Sequence, residues 1–144
     1  RTVSSQPRYC CAILIDSRGN LVLERRSPHD PIAGGKLACF GGGREADETP
    51  EETIRRELRE ELGFTPGPFD RNAVAFVLHT PMGEAWFYQL RGPELGEAQA
   101  VEPGCGVEWI AESLLLTQHD HELAAWHRVM FQARAAGQRT TTAT

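Results

Sequence analysis

Apolar and polar residues alternate along this chain in two distinct rhythms, and the rhythms place most of its elements. Tyr9–Asp16 (YCCAILID) is a continuous apolar run of strand length, and Leu21–Arg26 (LVLERR) follows it across the turn Ser17–Asn20. Two such runs joined by a short polar turn predict a hairpin. Ala73–Thr80 and Ala85–Arg91 form a second pair around Pro81-Met82-Gly83, and Val107–Ile110 reads as a further short strand. Leu37–Phe40 is a short apolar segment that runs into the triple glycine Gly41–Gly43.

The helical rhythm is clearest over Thr49–Leu62. Ile54, Leu58 and Leu62 recur at i, i+4 and i+8 and make one apolar stripe. Thr49 is placed to cap the start, Pro50 suits the first helical position and Glu52 completes a Thr-x-x-Glu capping box. Gly63 ends the helix. A final helix is expected over His121–Ala136, with Asp120 in the run His119–Glu122 as a cap. Residues 1–8 and the polar tail Gly137–Thr144 are expected to be loose, which leaves one domain over residues 9–136. Strands with separated helices predict an α/β (α+β) layered domain around a mixed sheet.

Composition sharpens this outline. The 144 residues suit one domain, and the net charge of −5 argues against a protein that grips nucleic acid electrostatically. No long apolar run and no export signal is present, so the expectation is a cytoplasmic protein without a membrane partner. Cys10, Cys11, Cys39 and Cys105 form no CxxC pair, which points to scattered thiols rather than a zinc site. Trp86, Phe87 and Tyr88 lie along one strand, where core packing explains them better than base stacking.

The candidate chemistry lies on the first helix. Glu57, Glu60 and Glu61 fall at i, i+3 and i+4 and converge on one face, beside the apolar stripe. Carboxylates crowded together repel, and a divalent cation relieves that repulsion. The other explanation is a solvated acidic face with arginine partners such as Arg56. The glycine-rich loop directly before the helix favours the first, because it lets backbone approach a ligand closely.

Residues Gly42–Phe64 (GGREADETPEETIRRELREELGF) resemble the Nudix box, G-x5-E-x7-R-E-U-x-E-E-x-G-U, where U is a bulky apolar residue. Gly42, Glu48, Arg56, Glu57, Leu58, Glu60, Glu61, Gly63 and Phe64 fill its specified positions. The resemblance to this family, and to its MutT-like members, implies an α/β/α sandwich and hydrolysis of a pyrophosphate bond in a nucleotide-like substrate. It implies Mg²⁺, with Mn²⁺ as a substitute, bound by Glu57, Glu60, Glu61 and the carbonyl of Gly41. It gives Arg56 the task of orienting Glu57, and Glu48 that of bracing the loop. Glu102, in the loop Val101–Val107, matches the position of a late catalytic or metal-binding acid; the alternative is an exposed loop acid. Arg25, Arg26 and Lys36 match positions that contact phosphate, against the alternative of solvated surface bases. Many members pair, so a homodimer is an open expectation. Phe40 stands where the family commonly has proline. No Asn lies between Trp109 and Thr144, so recognition of oxidised guanine is not supported. Two other functions stay open at this point: a binding module without turnover, and a diphosphate isomerase on the same fold.

Overall fold

The computed structural model describes residues 6–67, 69 and 73–144. The expected strands form: β1 is Tyr9–Ile15, β2 is Asn20–Arg25, β3 is Leu37–Ala38 and β4 is Phe40–Gly43. The expected helix is α1, Pro50–Leu62, followed by β5 (Val74–Thr80), β6 (Gly83–Arg91) and β7 (Gly106–Ala111). Beyond these come α2 (Glu112–Gln118), α3 (Ala125–Ala135) and β8 (Thr140–Thr142).

The sheet runs β3-β2-β1-β6-β5-β8, with β4 also on β1 and β7 also on β2. It is mixed: β1 is parallel to β6 and β5 to β8, and the other pairs are antiparallel. The first hairpin is closed only near its turn, with Leu14 opposite Val22 and Ile15 opposite Leu21. Its arms then part. The start of β1 pairs with β4, while β2 pairs with β3 and β7. This parting seats the glycine strand directly on β1, with Cys11 opposite Gly41.

Strand alternation divides the interior into two cores. Cys11, Ile13, Leu21 and Leu23 face α2 and α3, where Leu115, Met130 and Phe131 meet them. Cys10, Ala12, Leu14 and Val22 face α1, where Ile54, Leu58 and Leu62 meet them. Adjacent Cys10 and Cys11 thus sit on opposite sides, as the strand period requires. Each fully buried aliphatic side chain contributes roughly 1.5–3 kcal/mol, so the α1 stripe alone is a substantial anchor. The result is the α/β/α layering expected of the sequence.

Some expectations are corrected. The tail is not loose throughout: β8 pairs in parallel with β5, and Ala143 is buried against the α3-side core. Polar composition hid this, although β-branched threonines suit a strand and β5 offered an open edge. At the other end Arg8 donates its N–H to Glu84 O (2.8 Å) and accepts from Arg44 N–H (2.9 Å), so pairing begins before Tyr9. Residues 1–5 of the expected loose start lie outside the described residues. The last helix begins at Ala125 rather than His121, because Ala124 N–H bonds Leu37 O (2.9 Å) and Leu123 bridges Leu37 at the sheet margin. Asp120 is not a cap; it pairs with Arg128 (2.5 Å) and accepts from Gln132 (3.1 Å) on α3. Helix α2 was not anticipated, since it has no side-chain cap and buries only Leu115.

Candidate active site

Helix α1 starts as its sequence dictates. The Thr49 hydroxyl accepts from Glu52 N–H (3.2 Å) and Thr49 N–H donates to the Glu52 carboxylate (2.9 Å). Gly63 closes the other end at φ 66°, a left-handed conformation that favours glycine. With both ends fixed and the stripe buried, the face bearing Glu57 and Glu61 is held against β4.

The contact between helix and glycine strand is close. Gly41 adopts φ 143°, and a side chain there would collide with the backbone of Cys10 and Cys11. A Cβ on Gly42 would lie 2.5 Å from the Glu57 carboxylate. Two glycines are therefore required by space, and the carboxylates reach the backbone because of them. Gly41 N–H donates to Glu61 Oε1 at 3.0 Å.

Arg56 organises the outer part. It grips Glu48 with two donors, Nε to Oε2 (2.6 Å) and Nη2 to Oε1 (2.8 Å). It also donates to Glu57 Oε1 (2.8 Å) and to Gly43 O (3.0 Å). Glu48 further accepts from Glu45 N–H (2.9 Å) and the Thr53 hydroxyl (3.0 Å). The paired guanidinium holds the Glu48 carboxyl down at about 2. Glu48 is thus a brace, and Arg56 a fork that fixes loop and helix together.

The inner carboxylates are in the opposite condition. Glu61 is 4% exposed, and burial together with the neighbouring Glu24 carboxyl pushes its pKa well up. Burial also raises Glu57, against the pull of Arg56. Glu102 adds like charge to Glu24, Glu57 and Glu61. Its loop is docked on the helix by Val101 N–H, which donates to Glu61 O (2.9 Å). Glu60 is the exposed member, with 56% of its side chain accessible and Arg56 3.6 Å away.

Among the sequence-derived candidates, the structure sets Glu57 and Glu61 against Gly41 and Gly42, with Glu102 near enough to add its charge and Glu60 and Arg56 at the rim. The three bases lie differently. Arg25 donates to Glu108 (2.5 and 2.9 Å), Glu122 (2.7 Å) and Gly35 O (3.0 Å). Arg26 donates to Glu24 (3.0 Å) and pairs closely with Asp30. Lys36 is exposed, and its Nζ donates to His121 O (3.0 Å).

One residue escaped sequence reasoning. Glu24 lies buried on β2 on the α1 side of the sheet, its charge felt by Glu61 and with Glu102 and Cys105 ligand atoms inside 4.8 Å. The strand period puts it on the same face as Val22, two positions back, but that α1 covers this face is a tertiary fact the sequence does not carry. The donor set is rich in hard oxygen and short of neutralising cations, which fits a divalent metal of the Mg²⁺ kind. Cys10, Cys11 and Cys39 are buried with thiols raised by burial, Cys10 to about 11, so they pack rather than react.

Layered fold, glycine strand and acid-faced helix define a class: an α/β/α domain built around a carboxylate cluster. Residues 5–133 match the family model described as the NUDIX domain. The chain belongs to the Nudix family, whose hydrolases in general use divalent metal ions. It is 43% identical over 56 residues to an RNA pyrophosphohydrolase of Gluconacetobacter diazotrophicus, covering 36% of this chain and 34% of that protein. It is 39% identical over 56 residues to the 8-oxo-dGTP diphosphatase of Escherichia coli, covering 39% and 43% respectively. The matches therefore span about a third to two fifths of those relatives. A MutT protein structure from Methanosarcina mazei shares the fold at TM-score 0.72 and 21% identity, over 94% of this chain and 98% of that one. No helix among the described residues is long and apolar enough to cross a membrane.

Proposed function

We propose that this protein is a Mg²⁺-dependent pyrophosphohydrolase acting on a nucleoside triphosphate or on a nucleoside diphosphate linked to another group. The observation that carries the reading is the buried Glu61, held by Gly41 N–H beside Glu57 and Glu102, with too few positive partners to neutralise the set. The similarity to relatives named as pyrophosphate-cleaving enzymes supports it.

Each residue has a task in this reaction. Glu57 and Glu61 hold the cation, with Glu60 and Glu102 at the open side and the Gly41 carbonyl as a further oxygen. Arg56 fixes one Glu57 oxygen and leaves the other available. A bound divalent ion offsets the charge that develops on the attacked phosphorus and the leaving phosphate. A carboxylate of the same face accepts the proton of the attacking water. Of the three expected bases Lys36 is the one free to turn to a phosphate, since it is exposed and its Nζ donates to a carbonyl rather than a carboxylate. Arg25 and Arg26 would each have to release two carboxylates first.

The test is a nucleotide panel with Mg²⁺, scored for pyrophosphate and mononucleotide release. Panel members include nucleoside triphosphates, dinucleoside and sugar diphosphates, and a short 5′-triphosphorylated RNA. Turnover of a small nucleotide is expected. Tight nucleotide binding with no turnover of any member would overturn the enzyme reading in favour of a binding module.

A further inference from the structure

The α1 side of the sheet carries a hollow beyond the acid cluster. Cross-strand partners share a face, so Trp109, opposite Val22, stands on the α1 side, where its Nε1–H donates to Leu95 O (2.8 Å). That bond fixes the ring, yet the residue stays 40% exposed. Beside it a cavity of about 470 Å³ is lined by Asp16, Ser17, Arg18, Asn20, Glu97 and Trp109. Asp16 is 6% exposed. Its Oδ1 accepts the N–H groups of Arg18 and Asn20 (2.9 Å each), which tightens the first hairpin turn. Its Oδ2 has no partner among the described residues. No side-chain oxygen among those residues is both sealed and unpaired, so Oδ2 opens on the cavity that Asp16 lines. The side chains of Arg18, Asn20 and Glu97 likewise make no hydrogen bond or ion pair among the described residues.

We propose that this cavity seats the sugar of a nucleoside diphosphate sugar, its ring against Trp109 and its hydroxyls on Asp16, Asn20 and Glu97. This rests on the reading of the α1 acids as the site that cuts a pyrophosphate. The placement fits: Val22 and Asn20 precede Glu24 on one strand face, so Trp109 and Asn20 lie about 7 and 13 Å along the strand from it. The segment that leaves the cavity at Glu97 reaches Val101 and Glu102, and Val101 N–H bonds Glu61 O, so one short loop rims both places. The lining selects the ligand. Two carboxylates against one guanidinium disfavour a phosphate. A nucleobase presents a fixed edge and gains most when stacked on both faces, whereas a single indole lines this cavity. A sugar ring has a face of C–H groups for the indole. Its hydroxyls both donate and accept, which suits acceptor-only Asp16 and Glu97, donor-only Arg18, and Asn20, which is both. In the reaction water adds to one phosphorus and the bond from that phosphorus to the bridging oxygen breaks. A nucleoside monophosphate and a sugar phosphate leave, and the protons of the water pass to solvent.

Steady-state kinetics with Mg²⁺ test this on paired substrates, UDP-glucose against UTP and ADP-ribose against ATP. The proteins are the wild type, Trp109→Ala, Asn20→Ala and Glu97→Gln, with thermal unfolding read alongside. In each variant kcat/KM for the nucleotide sugar, relative to that for its triphosphate, is expected to fall about tenfold through KM. An unchanged ratio, which includes a loss shared equally by both substrates, would overturn the inference. Should Trp109→Ala not fold, the two polar variants carry the same expectation, and an unchanged ratio in both overturns it. Where only the nucleotide sugar turns over, a raised KM at wild-type kcat is expected, and a lowered kcat at wild-type KM overturns it. Wild-type turnover of triphosphates but of neither nucleotide sugar would remove the sugar site and leave the pyrophosphohydrolase reading standing. No turnover of any nucleotide would bring down both.

Discussion

The two faces of the central sheet carry charge in contrasting ways. Towards α1, Glu24, Glu57, Glu61 and Glu102 stand together, and the guanidinium groups of Arg26 and Arg56 are divided between them and the outer acids Asp30 and Glu48. Towards α2 and α3, charges are matched: Arg134 with Glu112, Arg128 with Asp120, and Arg25 with Glu108 and Glu122. A matched set holds elements together and asks for nothing more. A crowded set of like charges, desolvated and retained, is where the proposed cation would relieve the repulsion.

The largest effect tests the crowded face directly. Glu57→Gln is expected to lower kcat on the preferred nucleotide by at least about 10²-fold while leaving the circular dichroism spectrum unchanged. Retained turnover would return Glu57 to the class of ordinary surface acids.

Stability should divide the faces next. Arg56→Ala leaves Glu48 and Glu57, both mostly covered, without their fork, and is expected to cost about 2 kcal/mol in urea unfolding. Arg134→Ala breaks a surface pair with Glu112 and is expected to cost under about 1 kcal/mol. Similar losses in the two variants would erase the proposed contrast.

A smaller effect concerns pH on the α3 face. His127 Nδ1 accepts from Cys39 N–H (3.1 Å), so the ring must be neutral there. Burial holds its pKa down at about 4. The unfolded chain takes up a proton near pH 6.5 and the folded one does not, so the stability is complete above about 6.5. It is lost as pH falls from there towards 4, by about 2 kcal/mol once partial exposure is allowed for. Unfolding free energies of the wild type and His127→Gln across pH 7.5 to 4.5 check this. An equally steep decline in the variant would assign the slope to other groups.

Much of the α1 side was legible in the sequence because local rules governed it. Thr49, Pro50, Glu52 and Gly63 announce the helix ends, and the spacing of Glu57, Glu60 and Glu61 announces a shared face. Glu24 was not legible by the same means, since a charge near a strand end reads as a solvent-facing terminus. Only the tertiary fact that β2 continues under α1 makes it a buried acid. Arg25 and Arg26 were legible as bases but not as bases already engaged, because Glu108, Glu122 and Asp30 come from other elements. The strand β8 depends on an edge that the sequence of Thr140–Thr142 does not reveal, and α2 lacks any capping signal.

The parted hairpin has a consequence for how this chain tolerates change. Because β4 docks on β1 residue for residue, sliding it by one position would turn Gly42 away from Glu57 and exchange the two faces of the strand. Lengthening is therefore forbidden between Phe40 and Gly43. The stretch from Ser27 to Lys36 spans two strand ends already pinned by their own neighbours, so variation in length has more room there, provided Asp30 keeps its pairing with Arg26 beside the acid-bearing face.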